Sequence, residues 1–250
     1  MFKKVIIMYS KILNTIKNLD YKSNIVSGLV GLLSGILIVK LRKSNKKMGT
    51  NILKLIDTKN EGGLTTLLGS KDVYEEFYEE LVKIKDEEPI DIIIKTSGGA
   101  FHWCLKICHF IKNRKGLVRV FVDDGAHSAG TVIALCADEL YLTKNATLSA
   151  IDPQMSLLGI LSTVAIKEIP SLLQNFNTHS QNQYNQVNDY FISQIQKFLH
   201  PKYETINIID HFYKNVCSHS VIFFTDDLIN LQIPFTEWDG DYSLSKLKLK

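Results

Sequence analysis

Ile90-Asp-Ile-Ile-Ile-Lys-Thr-Ser-Gly-Gly99 is the stretch on which the reading of this chain turns. A near-continuous apolar run suits a strand covered on both faces, and such strands belong to parallel sheets. Its closing Gly98-Gly99 turns the chain into a helix that reaches about Lys112. Upstream, Asn51 to Asp57 alternates and reads as an earlier strand, broken by Glu61-Gly-Gly63. Between the two, Ser70 caps a helix with Val73, Phe77, Leu81 and Ile84 on one stripe and Glu75, Glu76, Glu79 and Glu80 outside; Pro89 closes it. Downstream, Leu117 to Val122 is a second buried strand, Ser128 begins a helix bearing Val132, Ile133, Leu135 and Cys136, and Leu140 to Thr143 is a short strand. This alternation predicts right-handed βαβ units and an α/β fold. After Pro153 the pattern weakens. Asn177 to Tyr190 is rich in Asn and Gln, residues 187–214 read as helical but poorly patterned, and Phe223 to Trp238 forms a terminal piece.

Parallel sheets bind ligands beyond the carboxyl ends of their strands. Two features fall there: the Gly98-Gly99 turn, and Gly125-Ala-His-Ser128-Ala-Gly-Thr131. A serine at a strand-to-helix turn exposes its hydroxyl to the positive end of the helix, and a Gly-Gly turn offers bare N–H groups to a developing oxyanion. Together they imply a serine acyl-transfer site, a peptidase foremost, with Ser128 as nucleophile and the N–H groups of Gly99 and Ala129 as donors. The spacing is not the G-x-S-x-G elbow, because one extra residue separates Gly125 from Ser128. A helix-capping serine is the plain alternative.

The proton acceptor stays open at this level. His127 adjoins the serine, but neighbours at a helix start point different ways. Asp152, in Ser149-Ala-Ile-Asp-Pro-Gln154, is a turn former or a site residue. Lys167 stands on an expected helix, where a desolvated lysine can deprotonate a serine; the alternative is a solvated surface lysine. His219, in Cys-Ser-His-Ser220, lies in a loop-like stretch. The seven histidines include no H-E-x-x-H pair, and dinucleotide and P-loop fingerprints are missing, so no metal or other cofactor is expected.

The 250 residues suffice for one sizeable domain plus an appendage, and a net charge of +3 is too small to argue for nucleic acid. Cys104, Cys108, Cys136 and Cys217 lie in or beside apolar runs without zinc-finger spacing, and read as buried reduced thiols. Residues 1–22 form a basic amphipathic segment. Ser23 to Val39 carries no charge, at the short end of what spans a bilayer, so residues 23–41 are expected to be a transmembrane helix and 42–50 a basic linker. Lys40, Arg42, Lys43, Lys46 and Lys47 make the heavier basic flank, which places the domain of residues 51–250 on the cytoplasmic side of a single-pass membrane protein. Ser27, Gly31 and Gly35 are spaced for close approach of two such helices.

Ile90 to Gly99, Val118 to Thr131, Ala134-Leu-Cys-Ala-Asp-Glu139 and Ala150-Ile-Asp-Pro-Gln154 together resemble the serine dehydrogenase proteinase family. That family belongs to the Clp protease/crotonase-like group, which includes signal peptide peptidase A. The resemblance runs from about Asn51 to Pro153 and returns around Ser218-His219 and Thr225 to Ile233. It implies a β-β-α spiral core, homo-oligomers, and ATP-independent cleavage of peptide or protein substrates. Ser128 matches the nucleophile, and Gly99 and Ala129 the oxyanion positions. Asp152 falls near where Clp-type peptidases carry their histidine, His219 matches a C-terminal histidine and is the first choice of base, and Lys167 would instead give a Ser-Lys dyad.

Two departures stand out. Thr96-Ser97-Gly98-Gly99 replaces the family's Thr-Pro-Gly-Gly, which is expected to loosen the turn, and Val221 and Ile222 replace a proline after the histidine. The rival readings are a catalytically inactive membrane scaffold of the same fold and a crotonase-type enzyme that processes acyl-CoA.

Overall fold

The computed structural model describes residues 51–59, 65–66, 71–156, 163–168 and 178–239. The N-terminal expectations (segments 1–22, 23–41 and 42–50), the Glu61-Gly-Gly63 break and the Ser70 cap lie outside the described residues. Among the described residues, no helix is long and apolar enough to cross a membrane.

The core is a mostly parallel sheet. Strands β1 (Ile52–Ile56), β4 (Ile90–Thr96), β5 (Val118–Ala126), β6 (Glu139–Leu142) and β11 (Thr236–Glu237) lie side by side in that order. All four pairings along this path are parallel, as the apolar runs required. β2 (Thr58–Lys59) and β3 (Thr65–Thr66) form a separate small hairpin. Crossovers between the parallel strands are supplied by α1 (Lys71–Leu81), α2 (Phe101–Asn113) and α3 (Ala129–Cys136). Alternate residues of the strands meet these helices: Leu53, Ile92, Ile94, Val120 and Val122 share one core with Phe77, Cys104, Ile107 and Ile133. Each such buried side chain contributes about 2 kcal/mol relative to exposure. The opposite face carries a smaller cluster of Ile93, Phe121, Tyr141 and Trp238, and the buried ion pair of Arg119 with Asp91 at 2.5 Å.

Three sequence expectations are corrected here. α1 ends at Leu81 rather than near Pro89, because its hydrogen bonds tighten to three-residue turns from Glu80 to Lys83 and from Leu81 to Ile84. Lys167 lies on a single 3-10 turn, Ile166–Glu168, not on a longer helix. Cys217 is exposed, whereas Cys104, Cys108 and Cys136 are buried free thiols.

β5 runs four residues further than its apolar stretch, through Asp123-Asp124-Gly125 to Ala126. Its first half pairs with β6, and at Gly125 and Ala126 it changes partner to β7 (Thr147–Ser149). Against β4 the register shifts, from Ile94 opposite Val122 to Thr96 opposite Ala126. That bulge re-aims the end of the strand. It sets the Thr96-Ser97-Gly98 turn beside the His127-Ser128 turn.

The C-terminal part is more broken than expected. After a short hairpin of β8 (Gln154–Ser156) and β9 (Thr163–Ala165), α4 (Thr178–Phe198) packs on α2, with the Phe101 and Phe191 rings 4.4 Å apart. Residues 199–214 then give a 3-10 turn at Pro201–Tyr203 and a π-helical turn at Asp210–Lys214 instead of continuous helix. β10 (Ile222–Phe224) pairs antiparallel with β7, and α5 (Thr225–Asn230) leads to β11.

Candidate active site

Ser128 precedes α3 at φ +49°, ψ −111°, and its side chain makes no capping bond, so the hydroxyl is not spent on the helix end. Such a backbone costs a non-glycine residue roughly 1–3 kcal/mol and persists only where its surroundings over-determine it. Here they do. The Ser128 N–H donates to Ser149 Oγ at 2.8 Å, and the His127 N–H to the Thr96 carbonyl at 3.0 Å. Thr131 Oγ1 donates to the Ala126 carbonyl at 2.7 Å and accepts the Ser149 N–H at 3.0 Å. Ser149 and Thr131 therefore fix the serine turn through a buried network. Neither carried a signal in the sequence, because Ser149 reaches the site only through the β5–β7 pairing.

The facing turn is tight. Gly98 has φ +119°, and a Cβ there would stand 2.8 Å from Ser128 Cβ and 3.4 Å from its Oγ. Only glycine tolerates both that angle and that approach. The next amide, Gly99 N–H, and that of Ala129 at the start of α3 meet no acceptor among the described residues. Both residues line the cleft that also holds Ser128. The expected loosening by Ser97 is not what the turn displays. The Asp57 carboxylate accepts from Thr96 Oγ1 at 2.7 Å, Ser97 N–H at 2.8 Å and Ser97 Oγ at 2.8 Å.

The cleft measures about 490 Å³, with Phe101, Val132, Ile151, Pro153 and Phe191 as apolar wall. His219 also lines it, and its Nδ1 lies 2.7 Å from Asp152 Oδ1. Asp152 is almost fully buried, held on an extended segment where the Ile151 N–H donates to the Phe212 carbonyl at 2.9 Å. The hydrogen bond that Nδ1 donates to the Asp152 carboxylate raises the His219 pKa above the ordinary imidazole value; burial and the Lys167 charge oppose it. His219 is thus anchored through Nδ1 while its residue borders the cleft.

Lys167 sits behind this pair rather than on the cleft wall. Its ammonium donates to the carbonyls of Tyr213 at 2.6 Å and Val216 at 3.0 Å, and stands 4.0 Å from Asp152 Oδ2. The π-helical turn presents one of those carbonyls. His127 points away from the serine, as adjacency suggested: its Nε2 lies 2.9 Å from Thr147 Oγ1, and burial lowers its pKa. The structure thus brings Ser128, Gly99, Ala129 and His219 to one cleft, sets Asp152 behind His219, and sets Lys167 behind Asp152. Among the described residues, no group of three or more His, Cys, Asp or Glu side chains is placed to hold a metal ion.

Fold and cleft together define an α/β protein of the ClpP-like class with a mostly parallel sheet. The chain belongs to the ClpP-like SDH-type serine proteinase family, whose sequence profile matches residues 37–199. That span contains Ser128, Asp152 and Lys167 and stops short of His219. Among curated proteins, uncharacterized protein MJ0137 of Methanocaldococcus jannaschii is 32% identical over 119 residues, 46% of this chain and 42% of its own length. Uncharacterized protein MJ1495 of the same organism is 31% identical over 122 residues, 46% of this chain and 41% of its own. The chain spans less than half the length of these curated relatives. Among solved structures, a membrane-bound stomatin-specific protease, 1510-N, described as a lysine-to-alanine mutant in complex with a substrate peptide, superposes with a TM-score of 0.52 at 17% identity, covering 78% of this chain and 77% of that one. At that identity the likeness speaks for the fold.

Proposed function

We propose that the protein is a membrane-anchored, ATP-independent serine peptidase whose domain of residues 51–250 hydrolyses peptide bonds. The observation that carries this is the convergence on one cleft of an unspent serine hydroxyl, two amides without an acceptor among the described residues, and a carboxylate-bound imidazole. Ser128 Oγ attacks the scissile carbonyl carbon while its proton passes to the free nitrogen of His219. The carbonyl oxygen, now negative, is held by the Gly99 and Ala129 N–H groups. His219 then gives that proton to the departing amine, the peptide C–N bond breaks, and an acyl-serine remains. A water molecule, deprotonated by His219, releases the acid and restores Ser128. Asp152 orients the imidazole and stabilises its charged form.

His219 is the base in this reading because it stands on the cleft, while the Lys167 ammonium is engaged with two carbonyls and Asp152. The uncharged run of residues 23–39 and its basic flank support a single membrane span with the catalytic domain on the cytoplasmic side. The solved neighbour is itself described as membrane-bound. The family resemblance supports assembly into homo-oligomers. An acyl-CoA reading gains nothing from the cleft, which among the described residues has no lysine or arginine on its wall to meet a phosphate.

Covalent labelling tests the proposal. Wild-type protein should react with a fluorophosphonate at Ser128, and Ser128→Ala should abolish the adduct. A folded, oligomeric wild type that stays unlabelled establishes the scaffold reading instead. Hydrolysis of a CoA thioester without labelling by peptide-directed probes would favour the crotonase-type reading.

A further inference from the structure

Asp57 lies outside the cleft, yet its side chain is committed to one wall of it. The chain extends β1 by one residue, with the Asp57 N–H donating to the Lys95 carbonyl at 2.9 Å, so the carboxylate arrives alongside the end of β4. There it accepts hydrogen bonds from the Thr96 hydroxyl and from both the N–H and the hydroxyl of Ser97, at 2.7–2.8 Å. Hydrogen bonds to an ionised acceptor are about twice as strong as neutral ones. The chain of bonds continues inward: Thr96 Oγ1 accepts the Gly98 N–H at 3.0 Å. The amides of Ser97 and Gly98 are therefore both engaged on the Asp57 side, and Gly99, which lines the cleft, has the first amide of the turn that meets no acceptor among the described residues.

We infer that Asp57 is a positioning residue for the oxyanion site, a carboxylate clamp that supplies the rigidity a proline at position 97 would give through its ring. A proline fixes φ and removes an N–H. Serine at 97 leaves φ soft and adds a donor, and Asp57 absorbs that donor together with the hydroxyl. Without the clamp, the peptide units preceding Gly99 lose two of their anchors, and the Gly99 amide no longer holds one direction. A preorganised donor matters because it needs no reorganisation as charge develops. The inference rests on the peptidase reading for its catalytic consequence, while the clamp itself is a matter of backbone order.

The geometry also states what should replace the clamp. Thr96 is in β conformation at the end of β4, the conformation that a following proline demands. Ser97 does not have positive φ. Its N–H bonds to Asp57. Ser97→Pro meets neither a positive φ nor a neighbour before it that is held in helical conformation, and it is the substitution expected to restore stiffness without Asp57.

The experiment compares wild type, Asp57→Ala, Asp57→Asn and the double variant Asp57→Ala/Ser97→Pro in the full chain. One arm measures the second-order rate of fluorophosphonate labelling and kcat and KM for a p-nitrophenyl ester. The other measures amide hydrogen exchange across residues 96–99. Asp57→Ala should slow labelling and kcat by about 10- to 100-fold with KM within about twofold, since a donor is displaced rather than deleted. It should speed exchange at Ser97 and Gly98 by at least about tenfold while core amides keep their protection. Asp57→Asn, which keeps one acceptor oxygen, should fall between, and the added Ser97→Pro should recover most of the lost rate. A labelled Asp57→Ala with unchanged kcat and unchanged exchange overturns the clamp. Faster exchange in the turn with no loss of rate overturns its role at the oxyanion site. A wild type that exchanges as described but never labels overturns the peptidase reading, and with it the catalytic role, leaving the clamp as turn architecture alone.

Discussion

Gly98→Ala is the sharpest single perturbation of this site. At φ +119° an alanine pays roughly 1–3 kcal/mol in backbone strain. Its methyl would also stand 2.8 Å from Ser128 Cβ, where carbon atoms settle at about 3.5–4.0 Å. One turn must therefore retreat by about 1 Å, and over-packing of this kind adds roughly 1–3 kcal/mol. The sum, about 4 kcal/mol, lowers the melting temperature of a domain this size by about 12 °C. The retreat also separates the Gly99 amide from the serine, and a misplacement of about 1 Å costs on the order of 100-fold in rate. The assay is the fluorophosphonate labelling rate well below the melting point. Gly116→Ala provides the matched control: its Cβ would come 2.3 Å from the Glu88 carbonyl oxygen, at the amino end of β5 and far from the cleft. That variant should lose comparable stability yet label within about twofold of wild type. If Gly98→Ala labels as fast as Gly116→Ala, the close backing of Ser128 by the glycine turn has no part in its reactivity.

Other outcomes follow from the same geometry. His219 must be neutral to accept a proton, and Asp152 raises its pKa, so the labelling rate should rise with pH through a midpoint above the ordinary imidazole value of about 6.5. Asp152→Asn should lower that midpoint and cut the rate by about 10³- to 10⁴-fold, as read from pH–rate profiles. The same raised pKa makes the contribution of His219 to folding stability full below about pH 6.5 and lost as pH climbs through the folded value, so the melting-temperature gap between wild type and His219→Gln should shrink from pH 5 to pH 8. Lys167→Met leaves two carbonyls without their donor, costing about 3 kcal/mol in chemical denaturation, and moves the His219 midpoint upward because the lysine charge opposes it. Loss of labelling at every pH in Lys167→Met, with labelling retained in His219→Gln, would instead make the lysine the base. Ser149→Ala strips the Ser128 N–H of its acceptor and should cost about 1–3 kcal/mol in thermal melts and slow labelling about tenfold.

The parts of this fold that announce themselves in the sequence are those governed by local physics. Ile90 to Thr96 is apolar at nearly every position because both faces of a central parallel strand are covered, and its glycine turn and the serine turn follow strands whose ends bind ligands. What stayed hidden depends on distant partners. Asp123-Asp124-Gly125 has the composition of a loop, yet it is strand, because it changes partner to β7 there. β7 and β10 have three residues each and exist only through pairing with distant strands, β10 with β7 and β7 with β5 as well. Ser97 reads as a loss of rigidity until Asp57, forty residues away in sequence, is set against it. Asp152 and His219 were each ambiguous alone; their separation of 67 positions conceals a contact that neither pattern nor propensity encodes.

The carriage of His219 on a late segment has its own consequence. The Ser128 hydroxyl and the Gly99 and Ala129 amides are built from β4, β5 and the helices that follow them, whereas the imidazole is delivered by a late segment moored through β10 to β7 and, at its π-helical turn, to Lys167. On the proposed mechanism, nucleophile and proton shuttle are separately tethered halves of one machine. Undocking the stretch from the π-helical turn through β10 would idle it while leaving the β1-β4-β5-β6 pairings in place.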